Sequence, residues 1–247
     1  MKILVLPDIH GRNFWKNCNF KEADHIVFLG DYFDPYSDEG ITPKDSINNF
    51  KELIKYLEDN DCLDKTEFLI GNHDVHYLFD YVPISSRYDE KNKNIYKELL
   101  VGLLNKDLLY FNTWITQNNV TYLFTHAGIN KNWFDRHSEL CDIKSAGLIK
   151  HIPINELSED EILALDEIGL FRGGWSITGG PLWDDVIEFI KYPKFSPYYQ
   201  VFGHTQLKHE IFISDIRKEN PNINCEDFAC LDCRHAFIIE NNTFTKI

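Results

Sequence analysis

Short apolar runs set against amphipathic stretches organise the chain. "KILVLP" (2–7), "HIVFLG" (25–30) and "EFLIG" (67–71) are apolar without alternation, the mark of strands buried on both faces. Between the second and third, residues 42–60 repeat apolar side chains at Ile47, Phe50, Leu53, Ile54 and Leu57. That spacing predicts a helix with Thr42 as N-cap and Pro43 in its first position. Strand, helix and strand at this spacing imply parallel pairing through a right-handed crossover. "LLYFNTWITQNNVTYLFTHAG" (108–128) reads instead as a hairpin turning at Gln117-Asn118-Asn119. A late strand is expected in "YYQVFGHT" (198–205), and the tail "DFACLDCRHAFIIENNTFTKI" suggests antiparallel strands turning at Asn241-Asn242. Two stretches are irregular. Residues 80–94 are polar and suit a lid or loop, with "DEKNKN" (89–94) a solvated face. Residues 131–197 hold short helices and loop-like segments, among them "FRGGWSITGGPLWDD". The pattern by itself predicts a mixed α/β protein with loops gathered at strand ends.

The polar residues at those strand exits change the picture. Asp8 and His10 follow the first strand, and Asp31 and Asp34 the second. Asn72, His73 and Asp74 follow the third, His126 the hairpin, and His204 the late strand. Any one of these is explained by a cap or a turn; such a series is not. Carboxylate, imidazole and amide oxygen together suit a borderline-hard divalent ion such as Mn, Fe or Zn.

With 247 residues, 43% of them hydrophobic, one domain spanning 1–247 is expected, with substrate-loop insertions near 80–94 and 131–197. The net charge of −14 argues against bulk binding to nucleic-acid backbone or anionic membranes. It suits a chain that concentrates carboxylates around cations. No run approaches the roughly 20 apolar residues of a membrane span. The opening "MKILVLPDIHG" is unlike a secretory leader, and six cysteines are too few for a disulfide scaffold, so a reduced, cytoplasmic setting is expected. Cys225, Cys230 and Cys233 lack a fourth ligand at zinc spacing and read as core. His25, His76, His137, His151, His209 and His235 stand outside the strand-exit blocks and read as surface or satisfied core. The glycine-rich "RGGWSITGG" either cradles an anion with its amides or simply turns.

The ordered blocks "DIH", "GDYFD", "GNHD", "THAG" and "GHT", from residue 8 to residue 205, resemble the calcineurin-like metallophosphoesterases. "THAGI", "PLWDD" and "VFGHTQ" are most similar to the branch of phosphoprotein phosphatases and symmetrical diadenosine tetraphosphatases. The resemblance implies a four-layer α/β sandwich, two mixed β-sheets flanked by helices. It also implies two divalent metal ions: Asp8, His10 and Asp31 would hold one, and Asp31, Asn72, His126 and His204 the other. A metal-bridging hydroxide would attack in line, with His73 as general acid and Asp34 orienting it. Substrates would be a phosphorylated small molecule, a nucleotide polyphosphate or a phosphoprotein. A phosphodiesterase or nuclease of the same fold is the alternative, and a non-catalytic interaction module a third reading.

The chain departs from the family pattern in places. Pro7 replaces the usual Gly, Asp74 stands where the protein phosphatases have Glu, and Gln206 replaces a second histidine found in many relatives. Pro35 stands where the phosphatase branch has a phosphate-binding Arg. Arg12, Arg87 and Arg172 are candidates to supply that cation, guanidinium being suited to bidentate phosphate binding.

Overall fold

The computed structural model describes residues 1–137 and 153–247. The chain divides into two compact units, one of residues 1–110 and 234–247, the other of residues 111–233. Each contains one mixed β-sheet with helices around it, the pair of mixed sheets that the family resemblance implied.

In the first unit, β1 (Lys2–Leu6), β2 (His25–Phe28), β3 (Thr66–Leu69) and β4 (Leu109–Tyr110) run parallel. On the other side of β1 lie β10 (Phe237–Glu240) and β11 (Thr243–Lys246), giving the order β11-β10-β1-β2-β3-β4. Strands are numbered in chain order. Ile3, Val5, Leu6, Ile26, Val27, Phe28, Phe68 and Leu69 are fully buried, which is why these strands lack a polar alternate position. The crossover helix α1 (Pro43–Asp59) starts in a capping box between Thr42 and Asp45 and buries Ile47, Phe50, Leu53 and Leu57.

Two helices of this unit extend the sequence reading. The short helix α2 (Asn72–Leu78) begins inside the "GNHD" block, and α3 (Lys93–Leu104) begins within the charge run at 89–94. Only Tyr96, Leu100 and Leu103 of α3 are buried, too narrow a stripe to stand out along the chain. The span 108–128 is likewise not one hairpin. Its first strand residues, β4, join the first sheet beside β3.

The hairpin proper belongs to the second unit: β5 (Thr113–Gln117) and β6 (Val120–Phe124) turn at Asn118 and Asn119, both left-handed (φ 48° and 63°). That two-residue geometry matches strand twist, and asparagine tolerates it. With β7 (Tyr199–Phe202), β8 (Ile211–Phe212) and β9 (Asp227–Cys230) the order is β5-β6-β7-β9-β8. The expected tail is therefore shared out. β10 and β11 pair antiparallel through Asn241-Asn242, whereas β9 pairs parallel with β7 in the other sheet. The helices here are α4 (Lys131–Arg136), α5 (Glu159–Leu165), α6 (Val186–Phe189) and α7 (Ile213–Glu219). Cys225 and Cys230 pack with Val186, Phe189, Phe202, Ile213 and Phe228 as ordinary core. Cys233 is buried as well, while Cys141 and His151 lie outside the described residues. Among the described residues, no helix is long and apolar enough to cross a membrane.

Candidate functional site

In the first unit, three neighbouring parallel strands end on one edge and deliver the polar residues there. Asp8, His10, Asp31, Asp34, Asn72 and His73 are all buried. His10, Asp31 and Asp34 adopt left-handed backbone (φ 42°, 56° and 53°), a conformation that costs energy outside glycine and clusters where function demands it. The fully buried Asp74 holds the loops in place. Its carboxylate accepts the backbone N–H groups of Asp31 (2.7 Å), Tyr32 (3.0 Å) and Gly71 (3.0 Å). Burial, and then the nearby Asp31 carboxylate, push the Asp74 carboxyl well above its ordinary range. Gly71 is required by close approach, since a Cβ there would sit 2.1 Å from Asp31 Oδ1.

The chemistry of the donors fits a divalent cation. Asp8, His10 and Asp31 each place one ligand atom within 4.8 Å of the others. His10 Nδ1 donates to the carbonyl of Phe33 at 2.5 Å, so its Nε2 presents a lone pair, 3.3 Å from Asp31 Oδ2. A lone pair and two carboxylates brought together out of water repel one another unless a positive charge sits among them.

Bolted to this group is the imidazole of His73. Its backbone N–H donates to Asp31 Oδ1 (2.8 Å), and its ring Nδ1 donates to Asp34 Oδ2 (2.9 Å). Nε2 then accepts from Arg87 Nη2 at 3.0 Å. Arg87 also donates Nε to the backbone carbonyl of Asp34 (2.9 Å), and its guanidinium lies 3.7 Å over the Tyr36 ring. Burial lowers the His73 pKa, with Asp31 and Asp34 pulling the other way. For Asp34, burial acts to raise the pKa, but the hydrogen bonds from His73 and Tyr77 and the close His76 imidazole outweigh it and leave the carboxyl below its ordinary value.

Of the candidate arginines in this unit, only Arg87 reaches His73. Arg12 is buried and grips Glu39 with two nitrogens (2.7 and 3.0 Å), while its third donates to the Asp8 carbonyl. His76, read from the sequence as surface or satisfied core, and Tyr77, which that reading passed over, both touch Asp34. The available signal was their spacing: 73, 76 and 77 share one face of a helix.

In the second unit His126 follows β6 and His204 follows β7, strands that pair in parallel. Their rings meet edge to face with centroids 5.0 Å apart, and His126 Nε2 lies 3.2 Å from His204 Nδ1. Two imidazole nitrogens converging in a buried place are a competent half of a cation site. The Trp183 ring stands edge-on to His204 at 5.6 Å, and its Nε1 donates to Asp166 at 2.7 Å. Burial pushes the Asp166 carboxyl up to about 7. Arg172 is engaged by Asp185 (2.9 Å) and the Thr205 hydroxyl (3.1 Å).

The glycine-rich stretch does cradle an anion, but an internal one. The buried Glu188 carboxylate accepts the backbone N–H groups of Phe171 (3.1 Å) and Gly179 (3.0 Å). Beside it, burial, reinforced by Glu188 and Asp185, raises the Asp184 carboxyl well above its ordinary range, although Asn130 donates to it at 2.7 Å.

The chain is similar to a protein serine/threonine phosphatase from Saccharomyces cerevisiae, itself described as similar to human phosphatase PP5. Identity is 18%, coverage 97% of this chain and 72% of that one, and the TM-score 0.46. It is similar to YfcE, a phosphoesterase from E. coli, at 11% identity, with 100% and 92% of the two chains covered and a TM-score of 0.36. An archaeal phosphodiesterase is also similar, at 11% identity, 100% and 99% coverage and a TM-score of 0.34. No curated protein matches the chain. A family model, calcineurin-like phosphoesterase, matches residues 1–207, a span that contains every donor from Asp8 to His204. The chain belongs to the calcineurin-like phosphoesterase family.

Proposed function

We propose that this phosphoesterase hydrolyses a phosphomonoester or a phosphoanhydride of a nucleotide polyphosphate, with a phosphoprotein as a further candidate substrate. Asp8, His10 and Asp31 of the first unit would hold one divalent cation, and His126 and His204 of the second unit would ligate a divalent cation as well. Mn, Fe and Zn all suit these donors. Such ions, when bound, neutralise phosphoryl charge and lower the pKa of water, which supplies the nucleophile at neutral pH.

The chain's own residues do the rest. As water attacks phosphorus, the bond to the leaving oxygen breaks with its electron pair, and His73, released from Arg87 and protonated on Nε2 from solvent beforehand, delivers that proton to the leaving oxygen. Asp34, holding Nδ1–H, keeps that nitrogen pointed outward and stabilises the imidazolium. Arg87 exchanges His73 for a phosphoryl oxygen and takes the place of the arginine absent at Pro35. The stretches 80–94 and 131–197, the latter partly outside the described residues, set substrate choice.

The observation that carries this reading is the 2.8 Å bond from the His73 backbone to Asp31, which ties the proton donor to a cation ligand. The test is hydrolysis of p-nitrophenyl phosphate against bis-p-nitrophenyl phosphate, with Mn²⁺ and with chelator, for the wild type and His73→Asn. Monoester turnover is expected, lost with chelator; in the variant an alkyl phosphate run beside them is expected to lose about 10²- to 10⁴-fold and p-nitrophenyl phosphate much less, its leaving group needing little protonation. Preference for the diester would move the protein to the phosphodiesterases, and silence on both in metal-loaded protein would overturn the proposal.

A further inference from the structure

His76 stands three residues after His73 on α2, with its side chain wholly buried. Its two ring nitrogens face different partners. Nδ1 lies 3.0 Å from the Ser85 hydroxyl and 3.4 Å from the Ser85 backbone nitrogen. A backbone N–H can only donate, so Nδ1 is the acceptor and the ring proton resides on Nε2. That Nε2 is 3.1 Å from Asp34 Oδ2, the oxygen that also receives Nδ1–H of His73 at 2.9 Å. The contact lies off the ideal N–H line and is mainly electrostatic. The other oxygen, Oδ1, takes the hydroxyl of Tyr77, whose own oxygen accepts the Asp89 backbone N–H at 2.8 Å. Tyr88 closes the arrangement, stacked on Tyr77 at 4.9 Å and edge-on to His76 at 4.9 Å.

Asp34 is thus held at both oxygens by donors on the same helix as His73, and those donors are anchored by the loop at 85–89. A carboxylate that receives only one imidazole rotates about its terminal torsion, which is broad and soft. With His76 and Tyr77 in place, it presents Oδ2 to His73 in one orientation. We infer that His76, assisted by Tyr77, is a positioning residue: it fixes Asp34 so that His73 keeps its proton on Nδ1 and turns Nε2 toward the leaving group. This rests on the proposed role of His73 as general acid. Both side chains are buried, and neither is assigned a contact with substrate. Ser85 completes the link, since its hydroxyl lies 3.2 Å from His73 Nδ1 as well.

The test is leaving-group dependence in His76→Phe, which keeps the ring volume and removes the donor. An alkyl phosphate needs its leaving oxygen protonated, whereas p-nitrophenolate departs almost unaided. The variant is expected to lose about 10- to 100-fold in kcat on the alkyl ester and less than about threefold on the p-nitrophenyl ester, with KM unchanged on both. His76→Gln, which retains an N–H donor, is expected to recover most of the loss, and Tyr77→Phe to show a smaller loss of the same selectivity. Equal losses on the two esters would mean a structural role only and overturn the inference. A readout independent of activity is the ¹⁵N spectrum of histidine-labelled protein. His73 is expected as the Nδ1–H tautomer in the wild type and as a mixture in His76→Phe; an unchanged tautomer would overturn the inference. Failure of the wild type to cleave either ester would refute the functional reading instead, and the ¹⁵N spectrum would then decide the role of His76 alone.

Discussion

The two units organise their candidate ligands by different means. The first gathers its donors from strand exits that are close along the chain: Asp8 and His10, Asp31 and Asp34, Asn72 and His73 all fall within residues 8–73. Asp74 cross-braces them from within, accepting amides from two of the three loops. The second contributes two imidazoles from residues 78 positions apart, brought together by the parallel pairing of β6 and β7. Its buried acids, Asp166, Asp184 and Glu188, hold loops through Trp183, Asn130 and backbone amides. One share is thus organised by charge packed at the site itself, the other by a sheet with its charges set behind the ligands. Damage to the first should strike stability and ligand geometry together, whereas the second should separate them.

Removing one imidazole from each unit gives the largest expected effect. His10→Ala and His204→Ala should each cost one of the two proposed ions and lower turnover by at least about 10²-fold. Metal content of the desalted protein, measured beside turnover, checks this. Full metal content in either variant would remove that imidazole from the candidate ligands.

Gly71→Ala sharpens the contrast on the first side. Its methyl group would meet Asp31 Oδ1 at 2.1 Å and Asp31 N at 2.4 Å, and neither can move without disturbing the loop that Asp74 braces. A loss of about 3 kcal/mol in urea unfolding is expected, together with weakened Mn²⁺ uptake by calorimetry. Tight metal binding in a stable variant would mean the loop relaxes freely.

The smallest effect is expected from Asp166→Asn in the second unit. The native carboxyl holds its proton up to about 7, above its ordinary value of 3.8. Between those pH values the native state binds more protons than the unfolded one, so this group's contribution falls as pH rises through the window and levels off above it. The variant keeps an oxygen for Trp183 and escapes that penalty. It should match the wild type near pH 4 and exceed it by about 1–3 kcal/mol at pH 8, in unfolding curves at both pH values, with metal content unchanged. An identical pH profile would place the Asp166 carboxyl in contact with water.

Much of the fold was legible because burial writes itself into residue type. β1, β2, β3 and α1 carry unbroken or helically spaced apolar residues, and the Asn-Asn pairs mark both tight turns. What misled was strand partnership. β4 and β9 look locally like parts of the hairpin and of the tail, yet β4 pairs with β3 and β9 with β7, choices made by long-range pairing rather than by their own composition. The helix α3 was silent for a related reason, its buried stripe being only three residues wide.

The same division runs through the site. By itself the sequence determined which donor chemistry stands at each strand exit, because a ligand's identity is a property of its residue. Only the tertiary structure decided which charge meets which. Arg12 goes to Glu39 while Arg87 goes to His73, Glu188 takes amides that would otherwise be open to an anion, and His76 and Tyr77 close on Asp34. A charged group's partner is whichever opposite charge or donor packing brings within about 3 Å in a dry place, and that is set by the whole fold.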